Sequence, residues 1–352
     1  MNMKYKKKFL EKKSNKNINI GIQVFRMFLC FWVICDHCLN ANIKNTYKIF
    51  FQNRAHVPCF ILISFYFSFK SISERKCDKL KKRLERLLIP YIIFPIIILL
   101  INNSFLYFFK ISIYGYIITF HDLYIQLIIG RTFIDVFWFQ FYLIWTTLLF
   151  IIISFLFKKY YLLILELIYI ISYYLRYSNL NYFFFLQFKS MVQGSVGQFV
   201  EVMPTSVSGS IIASLNIFHI IKNYYKRIIF FAVFFLYFIY NFNIFSNVKT
   251  IAFGGIILDV CSILDFIIFY LLPINNIKSP IFRSIIFQIA KYTQGIYSLH
   301  LILFTALNIK FESIKTRSIK GCIIIYIFSY LISFVGEKLT KKTKLSYKII
   351  EF

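Results

Sequence analysis

Apolar segments long enough to cross a bilayer recur along almost the whole chain, and this recurrence limits the fold more than any other feature. A spanning helix needs about 20 predominantly apolar residues. Such runs lie at residues 20–39, 57–69, 87–108, 136–157, 160–175, 196–221, 228–245, 251–272, 289–308 and 322–335, the second and last being short. They are distributed over a chain of 352 residues that is 59% hydrophobic, instead of gathering into one core. The expected fold is all-α, a polytopic membrane protein built as a bundle of about ten transmembrane helices.

The basic residues give a second, independent reading. A formal charge of +27 raises the question of nucleic acid, but Lys and Arg form short clusters between the apolar runs, not a stripe on a soluble domain. They occupy the N-terminal tail and residues 70–86, 158–159, 222–227, 278–291 and 338–348, which are alternate connections of the bundle. The positive-inside rule puts all of these in the cytoplasm, together with both termini. No nucleic-acid partner is expected. The longer outer connections are then residues 40–56, 110–135 and 177–195. The chain divides into a basic cytoplasmic tail (1–19), an integral membrane domain (20–338) and a second basic cytoplasmic tail (339–352). The N-terminal residues resemble the positive region of a secretory signal, yet the run behind them carries Arg26, Asp36 and His37 and no A-x-A cleavage site. It reads as a retained first helix.

An ionisable side chain at the centre of a membrane helix costs about 2.5–3.5 kcal/mol on insertion scales, so such residues face a cavity or a partner. Arg26 and His37 are eleven residues apart, which at about 100° per residue returns to nearly the same face, roughly 16 Å further along the axis. One face thus carries a cation near the cytoplasmic end and an imidazole near the outer end. A neutral imidazole can take a proton from an attacking hydroxyl. Asp36 either orients that ring or serves another group, since adjacent helical residues point about 100° apart. The alternative for the pair is an interfacial histidine beside a solvated carboxylate.

In KKRLERLLIPY, Arg83 and Arg86 are three residues apart and share a helical face. At the cytoplasmic surface two guanidiniums can bind the phosphates of a cytosolic co-substrate, or serve only as topological charge. The seven cysteines are scattered. Cys35 and Cys38 form one C-x-x-C without a second ligand pair, so packing is expected and no metal. Glu166, Glu201, Asp259 and Asp265 also fall in or near apolar runs, where they line a path or make structural pairs. The small residues of QGSVGQFVEVMPTSVSGS favour close helix packing.

Taken in order, these residues resemble the acyltransferase family 3 of integral membrane proteins, which includes bacterial surface-polysaccharide O-acetyltransferases. NIGIQVFRMFLCFWVICDH resembles the family's first helix, RLERLLIPY its R-x-x-R, FWFQFYLIWTTL its W-F-L segment, and YTQGIYSLHLILF its late G-I-Y-L-x-H helix. Two positions depart from the pattern. FILISFYFSF keeps Ser64 but lacks the glycine that often follows it, and Gln140 stands where Leu is usual. The resemblance implies transfer of an acyl group, acetyl by default, from cytosolic acyl-CoA to a hydroxyl of a surface glycan or lipid-linked glycan, in the bacterial cytoplasmic membrane. It implies His37 as catalytic base with Asp36 beside it, Arg26, Arg83 and Arg86 as acyl-CoA contacts, and Ser64, Trp138, Tyr297 and His300 as cavity-lining residues. No metal cofactor is implied.

A second class remains open, a transporter or exporter of a glycan or lipid-linked precursor with its charges in a proton relay. Paired repeats or broken helices would mark it, and none is evident in the sequence. The topology has a direct test. With single cysteines and an impermeant thiol reagent on intact cells, a cysteine at Asn45 is expected to be labelled and one at Lys344 protected. The reverse pattern would overturn the orientation.

Overall fold

The computed structural model describes residues 19–46, 55–109, 116–130, 137–177, 193–216, 218, 222–241, 256–277, 279–310 and 317–340. Residues 1–18 and 341–352, which make up nearly all of the two basic tails, lie outside the described residues. Among the described residues the regular elements are helical, with no strand. The α-helices are α1 (Ile20–Cys38), α2 (Ala41–Thr46), α3 (His56–Ser73), α4 (Cys77–Phe109), α5 (Phe120–Ile129), α6 (Phe137–Leu156) and α7 (Tyr161–Tyr177). They continue as α8 (Gln193–Ser214), α9 (Tyr225–Asn241), α10 (Ile256–Leu271), α11 (Pro280–Lys291), α12 (Thr293–Lys310) and α13 (Ile319–Thr340).

The described part of every apolar run is helical over most of its length. Five of these helices, α1, α3, α4, α6 and α13, are long and apolar enough to cross a membrane by length and composition. Their faces follow the logic of a lipid solvent. On α4, Leu88, Ile92, Ile96 and Leu100 recur every four residues and are exposed, while Leu87, Tyr91, Phe94 and Ile98 are buried. On α13 the exposed face is Ile319, Ile323, Ile327, Leu331 and Val335, and the buried face includes Ser329 and Ser333. Apolar side chains outward and hydroxyls inward is the arrangement a bilayer favours.

Two elements differ from the sequence expectation. The basic connection at residues 70–86 is mostly helix, because α4 begins at Cys77 and runs for 33 residues through Pro90 and Pro95. The turn before it is short and contains Arg75 with φ 52°. Arg75 donates from Nε and Nη2 to the Ser154 carbonyl, at 2.8 and 2.5 Å, fixing that turn to the end of α6. The run at 289–308 is interrupted at Tyr292, whose φ of −97° and ψ of 10° separate α11 from α12. The Tyr292 hydroxyl donates to the Glu337 carboxylate of α13, and Lys291 Nζ lies 2.8 Å from the same group. The break is therefore held by a buried acid on a neighbouring helix.

α8 runs through the interior, with the stretch from Glu201 to Ser210 buried throughout. Ser206 shares a 2.5 Å hydrogen bond with the Tyr142 hydroxyl of α6. Thr205 and Tyr173 both donate to the carboxylate of Asp259 on α10, so that acid is structurally occupied. Gly209 lets α8 approach the backbone of α3, since a Cβ there would sit 2.5 Å from the Leu62 carbonyl oxygen. Gly209→Ala is therefore expected to destabilise the purified protein by about 1–3 kcal/mol, measured as a lowered melting temperature in detergent. An unchanged midpoint would mean that the two helices separate at no cost.

Candidate functional site

The site grows from the way α1 meets α12. At one end Arg26 Nη2 donates to Thr293 Oγ1 at 2.8 Å, and Nη1 donates to Gln23 Oε1 at 3.1 Å. One turn further along α1, Cys30 Sγ donates to the Thr293 carbonyl at 3.3 Å. Toward the other end the His37 and His300 rings lie 5.4 Å apart, centroid to centroid. Increasing residue number on α1 thus pairs with increasing residue number on α12, and the helices run parallel. Arg26 and His37 mark two ends of one seam, as their spacing predicts.

At the histidine end lies a cavity of ≈150 Å³ lined by Val33, Asp36, His37, Lys44, His56, Val57, Trp138 and Tyr297. His37 is exposed toward it and Asp36 is half-buried. Asp36 Oδ2 lies 3.9 Å from His56 Nε2, and Oδ1 lies 3.9 Å from Lys44 Nζ. Lys44 also donates to the Asp36 backbone carbonyl. The carboxylate therefore serves the first turn of α3 and the short helix α2. His37 finds its neighbour on α12 instead, as the angular offset between consecutive helical residues requires.

Aromatic side chains wall the cavity. Tyr297 packs against Phe139 at 5.2 Å and Phe60 at 6.3 Å, and Trp138 meets Phe139 edge to face at 6.2 Å. His300 is fully buried behind this wall, and its ring lies 5.9 Å from that of Tyr297. Gln140, the departure in the W-F-L segment, is buried and donates from Nε2 to Ser298 Oγ of α12 at 3.5 Å. A polar residue stands there because a polar partner faces it.

The arginine end is assembled from α1, α3, α4, α6 and α12. Arg83 Nη2 donates to Ser64 Oγ at 2.9 Å, Nη1 to the Ser64 carbonyl at 3.4 Å, and Nε to Thr147 Oγ1 at 3.2 Å. Its guanidinium lies 5.3 Å from the ring centroid of Phe65, the residue standing where a glycine often follows Ser64. Phe65 is fully buried and packs against Phe150 at 5.0 Å. Ser64 thus accepts from an arginine and is not among the residues that line the cavity. Arg86 is exposed, and its carbonyl accepts from Gln294 Nε2 at 3.4 Å. Arg26 and Arg86 consequently approach adjacent residues, Thr293 and Gln294, at the start of α12.

The structure brings Asp36, His37, Trp138 and Tyr297 to one cavity, sets His300 behind it, and groups Arg26, Arg83, Arg86 and Ser64 at the opposite end of the seam. Sequence reasoning missed His56 and Lys44. A lone histidine heading an apolar run and a lysine in an outer connection carry no distinguishing pattern, and only the fold draws them to Asp36. Cys35 and Cys38 are buried, and no group of three metal-ligating side chains occurs among the described residues.

Helices that turn apolar faces outward and gather carboxylate, imidazole and guanidinium groups inward make this an integral membrane protein with an internal polar site. Residues 19–338 match the family model of an acyltransferase domain. The chain belongs to acyltransferase family 3. No significant match was found among curated proteins or among solved structures.

Proposed function

We propose that the protein transfers an acyl group, acetyl by default, from acyl-CoA to a hydroxyl of a surface glycan or lipid-linked glycan, in a bacterial cytoplasmic membrane. The observation that carries this reading is the exposed imidazole of His37 at an open cavity, on the same helix pair as an arginine cluster. His37 takes the proton of the acceptor hydroxyl as its oxygen attacks the thioester carbonyl. The tetrahedral intermediate collapses with loss of the coenzyme A thiolate, which recovers the proton from His37. The cavity suits the reacting acyl and hydroxyl groups, while the nucleotide of the donor stays at the arginine end. Arg86 is the outward phosphate contact, and Arg83, held by Ser64 and Thr147, keeps α3, α4 and α6 together beside it. Arg26, at the same end of the seam, faces the donor's path toward His37. Asp36, with Lys44 and His56, presents hydrogen-bonding groups on the acceptor side.

Acyl transfer from labelled acyl-CoA by the protein in nanodiscs tests both ends. His37→Ala is expected to lower turnover by about 10²–10⁴, and retention of more than about a tenth of the wild-type rate would remove the imidazole from the chemistry. Arg86→Ala is expected to weaken acyl-CoA binding roughly tenfold to a hundredfold, with partial rescue by lysine, which lacks the planar fork. Unchanged affinity in a correctly inserted Arg86→Ala protein would leave that arginine as topological charge alone.

A further inference from the structure

The feature that points beyond this scheme is the second histidine. His300 Nδ1 lies 2.6 Å from the Tyr297 carbonyl oxygen. A carbonyl only accepts, so Nδ1 carries the proton and the Nε2 lone pair is the acceptor of the neutral ring. That nitrogen is buried and has no hydrogen-bond partner among the described residues. A buried, unsatisfied acceptor is costly and uncommon in a native interior. The neighbouring ring is His37, 5.4 Å away and tilted by 43°, a separation at which ring nitrogens turned toward each other come within hydrogen-bond reach.

We propose that His300 is a positioning residue for His37: its Nε2 accepts a hydrogen bond from one His37 N–H, leaving the other His37 nitrogen unprotonated toward the cavity. The inference rests on His37 as the base of the proposed reaction. It gives to a neutral imidazole the part that a carboxylate plays elsewhere, fixing the tautomer and sharing the charge when His37 takes up a proton. No proton passes to His300. A carboxylate is not used because Asp36 is turned toward His56 and Lys44. The α12 backbone makes the arrangement rigid, since the Tyr297 carbonyl that fixes the His300 tautomer is one helical turn away.

The test compares His300→Leu, which fills the space without an acceptor, with His300→Gln, whose Oε1 restores one near the position of Nε2. In the full-length protein in nanodiscs, leucine is expected to lower kcat roughly tenfold to a hundredfold with KM for acyl-CoA and the melting temperature unchanged. Glutamine is expected to recover most of that loss. His300→Met replaces leucine if the leucine variant fails to reach the membrane. A second readout needs no substrate: the rate at which diethyl pyrocarbonate modifies His37, followed by peptide mass spectrometry. It is expected to fall severalfold in the leucine variant and to return with glutamine. Equal kcat in leucine and glutamine variants, or an unchanged modification rate at His37, would overturn the assignment and leave His300 a packing residue. If the wild-type protein transfers no acyl group, the proposed function fails, and the modification rates still decide whether His300 positions His37.

Discussion

The arrangement depends on where a guanidinium can go inside a membrane. Arg26 on α1 cannot face lipid without a cost of about 2.5–3.5 kcal/mol, and its partner across the helix pair is the hydroxyl of Thr293. A hydrogen bond to a charged group is worth about 1.5–3 kcal/mol, which is comparable. Thr293 opens a new helix against α1 just after the chain breaks at Tyr292. The break is secured in turn by Glu337 of α13, which takes the Tyr292 hydroxyl and the Lys291 ammonium. From the start of α12 onward the two helices run side by side, and His300 arrives opposite His37.

The same principle pairs polar side chains across helices elsewhere among the described residues. Asp259 is occupied by Thr205 and Tyr173, Gln140 by Ser298, Tyr142 by Ser206, and Arg83 by Ser64 and Thr147. Each links two or three helices and gives a polar group a partner that lipid could not. The side chains around the cavity differ, because Asp36, His37, Lys44 and His56 border open space.

Much of this was legible in the sequence where the physics is local. Helices follow from runs of apolar residues, and the shared faces of Arg26 with His37 and of Arg83 with Arg86 follow from helical geometry. What escaped depends on contacts distant in sequence. The interruption at Tyr292 has no proline or glycine to announce it and is stabilised by a residue 45 positions away. No glycine follows Ser64 to permit close backbone approach at α3. The approach is supplied from the other side by Gly209 of α8, and Phe65 fills the position with a ring that Arg83 covers. His56 and Lys44 were invisible because neither has a local pattern, and nothing in the sequence names them as the groups that Asp36 meets.

That last point sets the character of the site. Sequence adjacency of an acid and an imidazole invites a pairing that an α-helix forbids, because consecutive side chains diverge by about 100°. The helix resolves the pair into two directions, the carboxylate toward α2 and α3, the imidazole toward α12. Two imidazoles therefore flank the region in different circumstances, His56 beside a carboxylate and an ammonium, His37 beside another neutral ring. A base paired with a neutral acceptor has its tautomer fixed without an added negative charge in an interior that penalises charge. The burial gradient from His300 to His37 to the open cavity then runs from the ring held by its own helix backbone to the ring that the proposed reaction uses.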